Sequence, residues 1–400
     1  MTSVDENGII FTNGDNDTFP LWYAQETEGY RTDVRVCNLS YLQTDWYVNQ
    51  MKSQAYESDP LPISMEELQY GNKKREYAYI LDRVDYPVSV KMAMDYFLSD
   101  DERTKTIPGY GKINHLPTGE LFIDIDKEKI LKSGIVPKGY ENKIVDRIDL
   151  SFKDKNTLIL NDLAIIDLLS TNAETGWKRP VYFATTVDPS FFTETDKYFM
   201  RTGMAYEVVP VKLENTPGRY QVNTDKMYDN VMNKFVWGGI DVNPDIYLDE
   251  TIRRMCYSYR IMFIDLIDQL IQEGKTDKAL KALDYCMEKI PGDVVPHNYI
   301  SLQLAMDYYF LKQNEKGKAL LEKIADSAIE YVTWINSLDN NKKRSVQRDY
   351  YYNERALAEQ VIPMFYRFGD EESGKKYLEK AALAGVDINR YFKIDTSKTN

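Results

Sequence analysis

The chain has 400 residues and a net charge of −13, from 63 acidic against 50 basic side chains, and 43% of its residues are hydrophobic. This length suggests roughly two or three domains of about 150 residues each, and no apolar run reaches the roughly 18 residues of a membrane span. The acidic balance argues against nucleic acid as a partner, and we expect no direct insertion into a membrane.

Cysteine and histidine are scarce. The three cysteines, Cys37, Cys256 and Cys286, form no CxxC pair, and the histidines are His115 and His297. So few ligands argue against a zinc site, and two histidines argue against Ser-His or Cys-His catalysis. The sequence also lacks GxGxxG and GxxxxGK(S/T), so we predict no cofactor. Cys37 lies in an alternating apolar run, which predicts a buried small hydrophobic side chain.

The first elements alternate between strand and helix. We predict a strand at Ile9–Thr12, a helix at Thr18–Gly29, a strand at Val34–Leu39 and a helix that ends near Ala55. This alternation predicts parallel pairing in a Rossmann-like, mostly parallel sheet. Because the first strand follows so short a lead, we also expect that the chain was cut from a longer polypeptide.

The middle of the chain is less regular. Dense glycine and proline over residues 100–157 predict a loop-rich insertion, with a strand at Leu121–Ile125. The elements predicted around it are a strand and helix over Tyr86–Leu98, a helix from Asn161, and strands at Arg179–Ala184 and Met204–Val211. Together these elements predict an α/β domain over residues 1–246.

From Tyr247 to about Ala384 the pattern becomes that of amphipathic helices with short breaks. One set of residues falls at offsets 0, 5, 9, 12 and 17, and a second set repeats the first four: Gly274, Ala279, Leu283, Cys286 and Pro291, then Gly369, Gly374, Leu378 and Ala381. This spacing predicts a tetratricopeptide-like domain of helical hairpins over residues 247–400. A middle hairpin, Ile300–Tyr331, fits the spacing poorly, and residues 334–350 interrupt it. Such arrays bind peptides or dock on neighbouring domains, or this one simply covers the α/β domain.

A polar run joins the first strand to the first helix. Asn13, Asp15, Asn16 and Asp17 surround Gly14 at the point where ligands bind in open α/β sheets, and carboxylates there can hold a divalent cation or sugar hydroxyls. The structural alternative is that Asp17 or Thr18 caps the helix while Gly14 and Asn16 adopt positive φ. Acidic residues at a helix N-terminus repel a phosphate in either case.

Four segments resemble a known family of large multi-spanning membrane proteins in its soluble carboxy-terminal part. They are FTNGDNDTFPLWYAQETEGYRTDVRVCNLSYLQTDWYVNQM (Phe11–Met51), NDLAIIDLLSTN (Asn161–Asn172), WKRPVYFATTV (Trp177–Val187) and MAYEVVPV (Met204–Val211). Members are typical of the Bacteroidetes, with animal relatives. Their amino-terminal membrane domain, of unknown-function type, is similar to protein O-mannosyltransferases of the GT-C class.

The resemblance implies that these residues face the periplasm beside the inner membrane, as part of a larger membrane protein. In such enzymes the catalytic acid lies in the membrane domain, so no catalytic residue carries over to this chain. We therefore expect an accessory domain that binds the acceptor protein or packs on the membrane domain of the same parent protein.

Two other functions remain open. The chain could be a free-standing metal-assisted hydrolase or sugar-handling enzyme, with Asp15 and Asp17 as ligands and Asn13, Asn16 and Trp46 nearby. It could also be an interaction scaffold unrelated to sugar chemistry. The metal that such an enzyme would use is not specified by the sequence.

Overall fold

The structure, a computed structural model, describes residues 1–81, 83–109, 111–346 and 348–386. The chain divides into two units, Met1–Lys234 and a unit that begins at Phe235. Mixed sheets occupy the first and helices the second, so the coarse prediction of an α/β part followed by a helical part is confirmed. Across the described ranges, no helix has both the length and the apolar character to cross a bilayer.

The first unit contains strands and mostly short helices. The strands are β1 Ile9–Thr12, β2 Arg35–Asn38, β3 Tyr77–Ile80, β4 Val88–Ser89, β5 Thr106–Ile107, β6 Gly111–Lys112, β7 His115–Leu116, β8 Glu120–Asp124, β9 Arg147–Ser151, β10 Thr157–Ile159, β11 Val181–Ala184, β12 Phe199–Arg201, β13 Ala205–Val208 and β14 Gln221–Val222. The helices are α1 Asp15–Glu28, α2 Asp45–Met51, α3 Glu67–Tyr70, α4 Val90–Leu98, α5 Glu102–Lys105, α6 Lys127–Ser133, α7 Leu160–Glu174 and α8 Thr224–Asp229.

The main sheet has six strands in the order β14-β12-β13-β11-β1-β2. β1 pairs in parallel with both β2 and β11, as the alternation of strand and helix predicts, whereas β13 pairs antiparallel with β11 and β12. All four residues of β1, β2 and β11 are buried. The carboxyl ends of three parallel strands therefore meet at one edge, and the chain segments that follow them lie side by side.

The segment predicted to be loop-rich contains more regular structure than its glycine and proline content indicates. Residues 100–157 include two short helices and five strands, and β8 pairs with β9 over five residue pairs from Glu120↔Ser151 to Asp124↔Arg147. β4 adds to this pair to form a separate three-stranded sheet. Turns are dense here because the strands are short, and the turn residues dominate the composition.

The described part of the second unit is helical. Its helices are α9 Glu250–Gln272, α10 Thr276–Lys289, α11 Tyr299–Phe310, α12 Asn314–Ser337, α13 Asn340–Ser345, α14 Arg348–Arg367 and α15 Glu371–Leu383. Three hairpins, α9–α10, α11–α12 and α14–α15, pack on one another, and the short α13 interrupts the series. The predicted boundary, between residues 246 and 247, falls in the segment before α9.

The three hairpin turns share one backbone geometry. Gly274, Lys312 and Gly369 each adopt a positive φ, of 73°, 62° and 81°. In every turn this residue donates its N–H three residues back, and the next residue donates five residues back. The middle hairpin is thus in register with the other two. Its spacing fits the other hairpins poorly in the sequence because Lys312, rather than glycine, occupies the left-handed position. Gly317 follows Lys312 at offset 5.

Candidate functional site

The carboxyl ends of β1 and β2 and the first turn of α1 form a buried polar cluster. The Thr12 and Thr18 hydroxyls lie 2.8 Å apart, and the Asn38 amide donates to the Thr18 hydroxyl at 2.9 Å and to the Gly14 carbonyl at 3.2 Å. Thr12, Thr18 and Asn38 are at most 2% exposed. Because buried polar groups must be paired, these bonds fix the turn that joins β1 to α1.

We call the segment Asn13–Asp17, between β1 and α1, the acidic junction, and of its predicted site residues Asn13 and Asp17 are brought together. The Asp17 carboxylate accepts from the Asn13 N–H at 3.0 Å and from the Thr186 hydroxyl, which follows β11, at 2.7 Å. The Asn13 side-chain oxygen accepts from the Ser40 hydroxyl at 2.8 Å, after β2. Asn13 and Asp17 thus tie together the segments that follow all three parallel strands.

Asp15 and Asn16 lie apart from this arrangement. Both are exposed, and the Asn16 N–H donates to the Asp15 carboxylate at 3.1 Å. The helix begins at Asp15 rather than at Thr18, and its N-cap is Gly14, so the predicted capping by Asp17 or Thr18 is wrong. Asn16 is therefore helical, and the positive φ predicted for it is wrong, whereas that of Gly14 is confirmed. Asp15 and Asp17 occupy the first turn, where the helix dipole favours negative charge.

The described residues contain no group of three or more His, Cys, Asp or Glu placed to hold a metal ion. At the junction, Asp15 and Asp17 are the only carboxylates that the sequence analysis singled out. Asp17 already accepts hydrogen bonds from Asn13, Thr18 and Thr186. A metal held there would have to displace these donors from the carboxylate.

An exposed row of aromatic rings runs beside the junction. Trp46, on α2, lies 6.1 Å from Tyr41 between ring centroids, Tyr41 stacks on Trp22 at 6.1 Å, and Trp22 stacks on Phe19 at 5.6 Å. We call Phe19, Trp22, Tyr41 and Trp46 the aromatic row. Trp46 is 55% exposed, Phe19 46% and Tyr41 37%, so ring surface is available for contact with a ligand.

The aromatic row was missed, apart from Trp46, because α1 presents an unexpected face to the interior. Its buried residues are Thr18 and Gln25, and the Gln25 amide donates to the carbonyls of Arg31 and Val34 at 2.8 and 2.7 Å. Hydropathy alone predicts that the aromatic face of α1 is buried and that the face with Thr18 and Gln25 is exposed. A usable signal was the spacing: Thr18 and Gln25 are seven residues apart, hence on one helical face.

We expect Gly14→Ala to lower the free energy of unfolding by about 1–3 kcal/mol, because φ 89° with ψ −179° is a conformation essentially restricted to glycine. A β-carbon there meets no atom within 4 Å, so the cost lies in the backbone. Urea unfolding measures it. Asn16→Ala, on the exposed first turn, is the control and should change stability by less than about 0.5 kcal/mol. Equal losses in the two variants would contradict the strained turn.

A family model described as TMEM260-associated domain 2 matches residues 1–226. The matched range lies within the first unit and includes the acidic junction and the whole aromatic row. No curated protein and no solved structure matches the chain.

Proposed function

The chain belongs to the TMEM260-associated domain 2 family, and from this premise we propose that it is the extramembrane accessory part of a membrane-bound protein O-glycosyltransferase. The bond-making residues belong to the membrane domain of the parent protein, which is of the O-mannosyltransferase-like GT-C class. This chain makes no bond itself. It faces the periplasm of a bacterium such as a member of the Bacteroidetes, and it holds the acceptor polypeptide by sugars that earlier transfers have already attached to it.

The aromatic row beside the acidic junction is the observation that carries this proposal. Sugar rings present C–H groups on their faces and hydroxyls around their edges. Exposed indole and phenol rings match the faces, and a few fixed polar groups match the edges. Here Trp46, Tyr41 and Trp22 offer ring surface, while Asn13 and Asp17 offer oxygens held by bonds from Ser40 and Thr186.

The position of the site supports the same proposal. We regard the first unit as Rossmann-like because β2, β1 and β11 form a parallel set, and ligands in such sheets bind outside the carboxyl ends of the strands. We regard the second unit as tetratricopeptide-like because its three hairpins share one turn geometry. Arrays of this kind bind polypeptides, which suits a domain that receives an acceptor protein.

The metal-assisted alternative has weaker support. It requires Asp15 and Asp17 to act together, and Asp15 is exposed while Asp17 already accepts three hydrogen bonds. The scaffold alternative uses the same helical hairpins but leaves the exposed aromatic row without a ligand.

We expect the chain to bind a peptide that carries an O-mannosyl threonine more tightly than the same peptide without sugar. Trp46→Ala should weaken binding of the mannosyl peptide by roughly 30-fold, about 2 kcal/mol, because Trp46 is the most exposed ring of the aromatic row and a large aromatic side chain that becomes buried on binding dominates such contacts. Isothermal titration calorimetry measures both affinities. Trp334→Ala, which removes a tryptophan that is 49% exposed in the second unit, is the matched control and should bind like the wild type.

The role as an accessory part is tested in the parent membrane protein. Deletion of residues 247–400, or Trp46→Ala alone, should reduce transfer of sugar to the acceptor protein while leaving the protein in the membrane. Unchanged glycosylation in both variants contradicts acceptor binding by this chain. Sugar transfer or hydrolysis by the isolated chain contradicts the assignment of the bond-making residues to the membrane domain.

A further inference from the structure

A cavity of about 640 Å³ opens in the helical unit, and nothing in the proposed function uses it. Its volume is typical of a binding site. The charged side chains that line it are two carboxylates, Asp268 and Asp307, and two cations, Lys312 and Arg367. The polar side chain of Gln303 also lines it.

Asp307 is the unusual member of this set. It is 3% exposed, and its Oδ1 accepts from the Gln303 amide at 2.8 Å. Its Oδ2 is fully buried and has no hydrogen-bond partner within the described residues, although Lys312 and Arg367 line the same cavity. Burial first, and then the nearby Asp268 carboxylate, raise the pKa of Asp307 to about 7. A buried carboxylate oxygen without a donor is costly, and a cation is the partner that relieves the cost.

The backbone around the cavity adds to the preference for positive charge. α9, α11 and α14 all contribute their last turns, through Gln272, Asp307 and Arg367. The C-terminal end of a helix carries a partial negative charge. Arg367 lies over the Phe368 ring, at 5.9 Å from its centroid, and the Phe368 ring stacks with Tyr309 at 3.8 Å between centroids. The arginine is thus held against an aromatic surface while Asp307 Oδ2 stays unpaired.

We propose that this cavity binds the ammonium group of a lysine side chain presented by a polypeptide segment, with Asp307 Oδ2 as its acceptor. The cavity lining carries two carboxylates and two cations, and three helix C-termini add partial negative charge. These charges favour the binding of one additional positive charge rather than several. That balance favours a single lysine over a multiply charged free polyamine. Lys312, Arg367 and Gln303 supply donors for the carbonyls of the flanking backbone.

The test uses the full chain and three probes: the blocked pentapeptide Ala-Ala-Lys-Ala-Ala, the same peptide with norleucine in place of lysine, and putrescine. NMR titration should show binding of the lysine peptide and at least tenfold weaker binding of the norleucine peptide. Putrescine binding without peptide binding overturns the polypeptide assignment. No binding by the lysine peptide overturns the whole proposal.

The Asp307→Asn variant separates the effect of the negative charge at Asp307 from the effect of its side-chain shape. The variant should lose at least tenfold in affinity for the lysine peptide while its melting temperature stays equal or rises, because an unpaired buried carboxylate has been removed. Asp277→Asn, at the exposed first turn of α10, is the control and should bind the peptide like the wild type. Unchanged binding by Asp307→Asn contradicts the role of Asp307, and melting temperature shows whether a loss of binding is only a loss of fold.

The affinity should also depend on pH with a defined sign. Asp307 must be ionised to pair with the ammonium, and its pKa is about 7 in the folded chain. The lysine peptide should therefore bind about tenfold more tightly at pH 8 than at pH 6. Asp268, Lys312 and Arg367 also face the cavity, so the Asp307→Asn variant provides the reference profile. The same slope in that variant would assign the pH dependence to another group.

Discussion

Lys226→Met is expected to lower the free energy of unfolding of the first unit by about 3–5 kcal/mol, because it leaves a buried carboxylate without its cation. The Lys226 ammonium donates to both Glu207 carboxylate oxygens, at 2.9 and 2.8 Å, and to the Tyr182 hydroxyl at 3.0 Å. Tyr182 in turn donates to Glu207 at 2.9 Å. Glu207 is completely buried, so its carboxylate depends on these bonds from Lys226 and Tyr182.

A double variant distinguishes an unpaired charge from lost packing. Lys226→Met combined with Glu207→Gln removes both charges, and we expect it to recover much of the stability that Lys226→Met alone loses. Cys37 is buried in β2 of the same sheet and has no disulfide partner, so its labelling by a thiol reagent in mild urea reports opening of this unit. If the double variant is no more stable than the single one, the loss is not due to the Glu207 charge.

The pH dependence of Lys226→Met has a predictable sign. Burial raises the pKa of Glu207 from its ordinary 4.5, and the Lys226 charge opposes that rise. Without Lys226 the pKa rises further. A carboxyl group whose pKa is higher in the folded than in the unfolded state takes up protons on folding, so stability falls as the pH rises above about 4.5. The deficit of Lys226→Met should be smallest near pH 4 and complete at pH 8.

Strands and helices of the first unit were predictable where their local residue pattern matches their burial in the folded unit. β1 and α7 are buried almost throughout and read as apolar runs, so periodicity identified them, with α7 beginning at Leu160 instead of Asn161. The strand predicted at Leu121–Ile125 is confirmed as β8, but the other strands of residues 100–157 were not predicted, because a strand such as β9 depends on a partner more than twenty residues away. Short strands carry too few residues for a periodic signal.

Some features of the candidate site could likewise be predicted from local sequence, whereas others depend on distant parts of the chain. Position alone located the acidic junction, since polar residues that follow a parallel strand lie at the sheet edge. The contribution of Thr186 and Ser40 was not predictable, because each reaches Asp17 or Asn13 from a different strand end. The aromatic row was not predicted for another reason. Buried Gln25 is stabilised by carbonyls from a later turn, and hydropathy cannot register such bonds.

Arg260→Met is expected to destabilise the helical unit by about 3–5 kcal/mol. Arg260 is completely buried in α9 and donates to the carbonyls of Ile290, Val295 and Pro296, in the segment that joins the first hairpin to the second. Hydrogen bonds from a charged donor contribute about 1.5–3 kcal/mol each, net of desolvation. Their loss outweighs the relief of burying one charge less, because Ile290 and Val295 are completely buried and their carbonyls lose the arginine donor.

The measurement follows thiol labelling of Cys286, which is buried in α10 and has no disulfide partner. Arg260→Met should accelerate its labelling in mild urea and leave the labelling of Cys37 unchanged, whereas Lys226→Met should do the reverse. Arg260→Lys should rescue little, since an ammonium lacks the planar fork that reaches three carbonyls. Arg253→Met removes an exposed arginine from the same helix and should cost less than about 0.5 kcal/mol. Equal losses for Arg260→Met and Arg253→Met would show that the segment after α10 is held by packing alone, and the hydrogen bonds of Arg260 would then contribute nothing to the stability of the unit.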